Sequence, residues 1–476
     1  MAEHSNIVYN EIDFLIPSYR FNIRYSYISK RGLSFIREFV LRLAHLSPMK
    51  PIEISGFLGL TEREAKEAIR DLIEREELTY NEQGQVALTA KACGYFPKLG
   101  ESPQVSDVVT TGTVLGFEVT DFNCVSTHSR RLNDKWSCGI RIDAKSELIA
   151  NRAKLAEKAF QKQFHALLDK EYITNVRESE GTGRPNIYKI DSLKQIGTEP
   201  FRVKFKFLMD NQGEAVEADE IEQLDTDELA LVAIEQALDN TRVSNNLREI
   251  ILAIESMGDT HTGSFINEQG LNVDKFTQLE QSRSNDNGDF IPFVGSLYSR
   301  NNWEKFSKQF ELAKHRVTSK HQDGVKSLTW LAPSEGLWGR NNALLSCFDS
   351  LISGAKTKGK KQKTLYKPTL FVPLSSKRDG RASRRWKDEL PNHLSHVNGY
   401  IEGFLGGAVE VVLLQDELVS VTYYVSLPDK YPVPIPVGFI SKSKVLVDRV
   451  AEEINQYLMI KSSHEDSRDL GVISKL

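Results

Sequence analysis

At 476 residues, with 40% apolar and 26% charged side chains and a net charge of −4, the chain has the composition of a folded protein of about three domains. No run approaches the ~18 uninterrupted apolar residues of a membrane span, and no basic-then-apolar start marks a secretory signal, so the expected location is the cytoplasm, away from membranes. Cys93, Cys124, Cys138 and Cys347 form no Cys-x-x-Cys pair. They are too sparse for a disulfide framework or a structural zinc site and are expected as reduced, buried thiols.

Residues 33–46 carry Phe35, Ile36, Phe39, Val40 and Leu43 at helical spacing. Pro51 suits the first turn of a second helix that runs to Phe57, and Gly59 breaks it. Thr61 and Glu64 form a capping box that starts a third helix. Its inner face would be Ala65, Ala68, Ile69, Leu72 and Ile73. Two strands follow, Leu78–Tyr80 and Val86–Leu88, with a turn near Gly84. Three helices and a hairpin in this order resemble a winged helix-turn-helix. The resemblance implies a third helix turned toward DNA, with Arg63, Lys66 and Arg70 sharing the outward face. Residues 61–77 also hold seven acids against four basic groups, which fits a docking or dimerising module equally well.

Residues 105–145 read as β-rich, from the alternation in VVTTGTVLGFEV and WSCGIRID. A helix is expected at 147–168. Short strands at 173–176 and 187–190 would flank a Gly-x-Gly-Arg-Pro-Asn turn. This unit resembles a second winged-helix wing, with Arg184 at a tip suited to a minor groove. Residues 210–226 are acidic and poor in large apolar groups, as in a linker. Helices are expected at 226–238 and 244–257, then a polar, turn-rich stretch over 258–288.

The last 180 residues alternate strands (290–294, 327–331, 369–374, 409–414, 418–425, 437–440) with helices (302–315, 341–353, 388–404, 443–457), the mark of an α/β layered domain. This order resembles phospholipase-D-like domains. Their signature, His-x-Lys-x-x-x-x-Asp, would use His as nucleophile and Lys against the phosphoryl oxygens. Laid on VEVVLLQD, its positions fall on Val409, Val411 and Asp416, and only the Asp matches. No catalytic residue is therefore assigned, and the balance leans away from an enzyme. An atypical phosphodiesterase or nuclease arrangement of His396, Asp416 and Lys430 stands as an alternative. A winged helix joined to such a domain also resembles TrmB-type transcription regulators, which implies a ligand-responsive, dimeric regulator. Similar combinations occur in prokaryotic phage-defence systems beside helicases or nucleases.

No phosphate-binding Gly-rich loop and no His-Glu-x-x-His occurs. His393 and His396 sit three apart on the expected helix with no third ligand nearby. No cofactor and no metal is expected.

The most informative feature is electrostatic. Between Lys356 and Lys387 stand twelve Lys/Arg against one acid, Asp379, while the rest of the chain holds 49 basic residues against 64 acids. Lys356, Lys358, Lys360, Lys361, Lys363 and Lys367 precede the expected strand 369–374. Lys377, Arg378, Arg381, Arg384, Arg385 and Lys387 follow it. Both groups are expected as cationic loops that release counterions on meeting phosphate, with Tyr366 and Trp386 placed to stack on unpaired bases.

The expected architecture is an α+β multidomain chain. It comprises a winged helix-turn-helix (1–100), a β-rich region with a second winged-helix-like unit (101–209), an acidic linker and helical segment (210–288), an α/β phospholipase-D-like domain (289–460) and a tail (461–476). The expected function is non-catalytic binding of duplex or single-stranded DNA, in company with a helicase or nuclease or as a homodimer.

Overall fold

A computed structural model describes residues 6–31, 33–96, 103, 105–176, 184–216, 228–241, 244–267, 270–283, 289–319, 325–357, 363–459 and 467–476. The chain is a mixed α/β, multidomain protein with several sheets. Its contacts group it into two units that are discontinuous in sequence. One comprises residues 1–18, 132–145 and 199–476, and the other 19–131 and 146–198. The blocks expected from the sequence are contiguous. Two long strands, β1 (Ile7–Arg31) and β7 (Asn186–Met209), carry residues of both units. Neither was read from the sequence at that length.

The smaller unit (19–131, 146–198) contains a helical module. Helices α1 (Phe35–Leu46), α2 (Pro51–Leu58) and α3 (Glu62–Glu74) precede the hairpin β2 (Leu78–Tyr80) and β3 (Val86–Leu88) and the short α4 (Ala90–Cys93). Gly59, at φ +65°, ends α2 in the left-handed conformation that glycine adopts without strain. Thr61 Oγ1 then accepts the Glu64 N–H, and Glu64 Oε2 accepts the Thr61 N–H at 2.9 Å. The core gathers Val40, Leu41, Ala44, Ile54, Ile69, Leu72, Leu78 and Val86. Glu77 is buried and accepts from Arg37 Nε at 2.9 Å and Tyr95 Oη at 3.2 Å.

The same unit holds the sheet β5-β4-β1-β7, with β4 at Val105–Glu118 and β5 at Cys124–Thr127. In β1, Phe21, Ile23, Tyr25 and Tyr27 are buried while Asn22 and Arg24 are exposed, the period-2 alternation of a half-covered strand. The single helix expected at 147–168 is divided into α5 (Ser146–Ala150) and α6 (Arg152–Asp169). Phe160 and Phe164 of α6 meet Tyr25 at 5.0 and 5.8 Å. Residues 173–176, expected as a strand, form none. The N–H groups of Tyr172 and Ile173 instead close on Leu167 O as the last turn of α6. Cys93 is exposed rather than buried, because α4 ends at the surface, and all four thiols are free.

The larger unit (1–18, 132–145, 199–476) includes the outer ends of β1 and β7, with β6 (Ile140–Arg141) parallel to β1 and β8 (Ala215–Val216) on β7. Helices α7 (Glu228–Asp239) and α8 (Leu247–Met257) follow. The stretch expected to be turns contains the hairpin β9 (Ile266–Asn267) and β10 (Gly270–Leu271) and helix α9 (Val273–Arg283). Val273 and Phe276 bury the inner side of α9, an apolar pair too sparse to stand out among polar neighbours.

The centre of this unit is an eight-stranded sheet, ordered β11-β17-β16-β15-β12-β13-β14-β18. Its strands are β11 (Phe290–Val294), β12 (Lys326–Leu331), β13 (Tyr366–Leu374), β14 (Val397–Ile401), β15 (Val409–Leu414), β16 (Leu418–Val425), β17 (Ile435–Ser441) and β18 (Asp469–Val472). Helices α10 (Arg300–Ser319), α11 (Ala343–Ser353), α12 (Gly380–Glu389) and α13 (Lys444–Met459) connect them. Strands β12, β13 and β14 are parallel and the other pairings antiparallel. Every residue of β15, β16 and β17 is buried, so both faces of the sheet centre are covered. Gly438 of β17 is obligatory, since a Cβ there would lie 2.2 Å from Val421 O. Inside the sheet, Glu410 accepts from Trp330 Nε1 at 2.8 Å and Tyr424 Oη at 2.9 Å, and burial holds its carboxyl above the usual range.

The inserted segment 132–145 is tied down by Arg202, which bonds Asp13 (2.8 Å), Asp134 (3.1 Å) and the carbonyls of Lys135, Ser137 and Cys138. The helix expected over 388–404 is absent. Asp379 caps α12 eight residues earlier, Pro391 cannot continue it, and 397–401 joins the sheet as β14.

Candidate nucleic-acid interface

The cationic stretch after β13 is a helix, not a loop. Asp379 Oδ1 accepts the Ala382 N–H at 2.9 Å and its Oδ2 accepts Ser375 Oγ at 2.7 Å, a cap that also holds the carboxyl below its usual range. One face of α12 is buried through Ser383, Trp386 and Glu389. Trp386 Nε1 donates to Pro373 O at 3.2 Å, and Arg340 Nη1 donates to Glu389 at 2.9 Å. With that face pinned, the opposite one must present Arg381, Arg384 and Arg385. These line one shallow depression with Gly380 and Asp388. Lys377 and Arg378 are exposed in the turn just before the cap.

Among the described residues, Arg378, Arg381 and Arg384 have no carboxylate at ion-pair distance. Partial burial, then the charge of Arg340, push the Arg385 guanidinium down to about 10, against the pull of Glu389 and Glu335. Burial pushes Glu335 up to about 7, although the N–H groups of Leu337 and Trp338 favour its charged form. Neighbouring cations depress one another, and an added anion would relieve that.

The other half of the basic run sits elsewhere. Lys356, Lys363 and Lys367 are exposed before or at the start of β13, whereas Lys377 and Arg378 follow its end. The nine residues of β13 span about 26 Å at ~3.3 Å per residue, with Lys367 at its second position. The two groups form two patches. Lys358, Lys360 and Lys361 lie outside the described residues. Lys387 is half-buried on α12.

Two residues expected to stack on bases are not available for it. Tyr366 is buried, with its hydroxyl donating to Leu351 O at 2.8 Å, and Trp386 is 7% exposed beneath α12. Both are apolar anchors, which is what sets the flanking cations outward.

In the smaller unit, α3 exposes Arg63, Lys66 and Arg70 beside Glu62 and Glu67. Arg63 pairs with Glu67 at 3.9 Å and Lys66 with Glu62 at 3.4 Å. This face is locally neutralised, unlike α12. Arg184 lies 3.3 Å from Asp169, at the end of α6. The glycines of its expected tip lie outside the described residues.

The positions aligned with a phospholipase-D signature hold no catalytic pair. Val409 and Val411 are buried in β15, and Asp416, in the β15–β16 turn, pairs with Lys326 at 2.5 Å. The atypical set is also dispersed. Asp416 precedes β16 and Lys430 follows it, with the strand's eight residues, a span of about 23 Å, between them. Lys430 pairs with Glu214 at 2.9 Å. His396 Nδ1 lies 3.1 Å from Pro368 O. His393 lies in a turn, 2.6 Å from Asp349. Among the described residues, no group of three His, Cys, Asp or Glu is placed to hold a metal, and no helix is long and apolar enough to cross a membrane.

Arg340, Glu335 and Glu389, which shape the α12 site, were missed on sequence. Arg340 and Glu335 lie 41 to 50 residues before the α12 arginines, Glu389 falls in the helix expected over 388–404, and no local pattern joins them. No protein-family model matches this chain, and no curated protein matches it. Among solved structures, the crystal structure of phosphatidylserine synthase from Haemophilus influenzae Rd KW20 is similar over 39% of this chain, at 14% identity and a TM-score of 0.24. The match spans 41% of that chain.

Proposed function

We propose that this chain is a non-catalytic nucleic-acid-binding protein that meets phosphates through the exposed face of α12. The observation that carries the reading is the pair Arg381 and Arg384, held outward on α12 by the buried Trp386 and Glu389, with Arg378 exposed in the turn just before the cap; none of the three has a carboxylate at ion-pair distance among the described residues. A guanidinium fork suits phosphate oxygens. Surface arginines on a helix and in the turn before it give affinity without sequence choice.

Sequence choice, if present, falls to the helical module, which we read as a winged helix-turn-helix. The acid pairs on α3 weaken its hold on phosphate, so the module serves better as a docking surface for a partner protein. The remaining sheet unit is read as a phospholipase-D-like scaffold without its catalytic pair. Together these features favour a subunit of a multi-protein prokaryotic system, such as phage defence, acting with a helicase or nuclease.

Fluorescence anisotropy with labelled duplex and single-stranded DNA tests this. Release of ~0.9 ion per duplex phosphate makes each contact worth about eightfold at 0.1 M salt. Changing Arg378, Arg381 and Arg384 to Gln should weaken binding at least tenfold. Equal affinity of that variant and the unaltered protein would remove α12 from the interface.

A further inference from the structure

We infer that the helical module pairs two copies of this chain through α1, packed antiparallel about a two-fold axis. Helix α1 is apolar on two sides. Val40, Leu41 and Ala44 bury one side in the module's core. Phe35, Phe39, Arg42 and Leu46 stand at i, i+4, i+7 and i+11. At ~3.6 residues per turn these four fall within about 60° of one another, on the side opposite that core. The apolar ends of the row are the most open, with Phe35 72% and Leu46 62% exposed. A helix with a second apolar stripe needs a second cover.

The middle of the row is already organised. Phe39 lies against Phe35 at 4.6 Å, and the Arg42 guanidinium sits over the Phe39 ring at 5.6 Å. Glu38 offsets the charge of Arg42 at 3.4 Å. The row and its flank therefore carry no net charge, and a second copy meets no repulsion there.

The spacing is what selects a second copy of this chain. Steps of four, three and four residues are those of a coiled-coil seam, and they read the same from either end. Antiparallel copies set Phe35 against the partner's Leu46 and Phe39 against the partner's Arg42. The cation then lies over a ring across the seam, as it does within one chain. A parallel pair would instead set Arg42 against the partner's Arg42, like charge on like charge. The twelve residues of α1 make a seam only about 18 Å long. The pair is accordingly weak and concentration-dependent.

Sedimentation velocity of the full chain tests this without nucleic acid, so its outcome is independent of the α12 reading. Between ~1 and ~200 µM the protein should pass from monomer to dimer. Phe35→Glu places an acid at the exposed first residue of α1, where the helix dipole favours it, so the helix is kept. It should raise the dimer dissociation constant at least tenfold. Adding Leu46→Lys, which the dipole favours at the last residue of α1, should recover part of that loss, because the antiparallel register sets the new acid against the new cation. Leu252→Glu, at an exposed apolar position of α8 in the larger unit, should leave the dimer unchanged. A monomer at every concentration would overturn the inference and leave the stripe to a protein of different sequence. So would a dimer unmoved by Phe35→Glu, or one lost with Leu252→Glu. A double variant that associates more weakly than Phe35→Glu alone would overturn the antiparallel seam.

Discussion

Replacing Arg202 with methionine should be among the most damaging single changes in the larger unit. Arg202 is 6% exposed and serves five acceptors: the carboxylates of Asp13 and Asp134 and the carbonyls of residues 135, 137 and 138. Methionine keeps the volume but leaves Asp13, 1% exposed, with the Asn342 N–H opposite its Oδ2 and the charge of Lys204 nearby. Stripping one partner from a buried pair costs about 3–5 kcal/mol, or roughly two to nearly four decades in the unfolding constant. Burial already raises the Asp13 carboxyl, and Arg202 works against that rise. In the variant the carboxyl rises further. A raised folded-state value means stability is lost as pH climbs, so Arg202→Met should be least harmful in mild acid and most harmful at neutral pH. All five tryptophans (Trp136, Trp303, Trp330, Trp338 and Trp386) belong to the larger unit. Urea unfolding followed by tryptophan fluorescence therefore reports on that unit. Adding Asp13→Asn should recover part of the loss, because no buried charge then remains. Single and double variants that add within about 0.5 kcal/mol would show that the pair is not coupled. A midpoint for Arg202→Met equal to that of a surface control would refute the reasoning altogether.

Other outcomes follow from the same contacts. Because Glu335 titrates at about 7 in the fold, stability should fall as pH rises from about 4.5 to 7, and Glu335→Gln should flatten that dependence in urea midpoints taken across the range. Arg37→Ala, which strips a charged partner from buried Glu77, should destabilise the helical module by about 1.5–3 kcal/mol. Faster amide hydrogen exchange confined to residues 35–96 would report it, and unchanged exchange would contradict it. Gly438→Ala forces a Cβ onto Val421 O and should abolish soluble expression or lower the unfolding midpoint sharply. Normal yield and midpoint would mean that β16 and β17 are not packed as described. Neutralising Lys356, Lys363 and Lys367, which lie before or at the start of β13 and not on α12, should weaken DNA binding less than the α12 variant does in the same anisotropy assay.

Elements whose signal is local were legible in the sequence. The capping box at Thr61 and Glu64 and the apolar rows Ala65, Ile69 and Leu72 place α3 correctly, and the runs VEVVLL and LVSVTYYV are the buried strands they suggest. Non-local signals were not. Strand β7 mixes lysines and exposed positions along 24 residues, so only its first residues stood out. The segment SKRDGRASRRWK read as a loop because its charges mask the row Ser383, Trp386 and Glu389 that buries one side of α12. Its concentration of charge was visible from composition. Its division by a strand into two groups was visible too, since the expected strand 369–374 lies between them; the helical form of the second group was not. Tyr366 and Trp386 looked available because aromatic residues beside cations suit a base-binding loop. In the fold they are the anchors beneath it.

The dependence of duplex affinity on salt tests the central claim most directly. Each phosphate neutralised contributes a slope of about −0.9 to log K against log salt. If Arg378, Arg381 and Arg384 meet phosphates, their joint replacement by Gln should make the slope shallower by about 2.7. An identical slope in the variant and the unaltered protein would contradict a phosphate-binding role for α12.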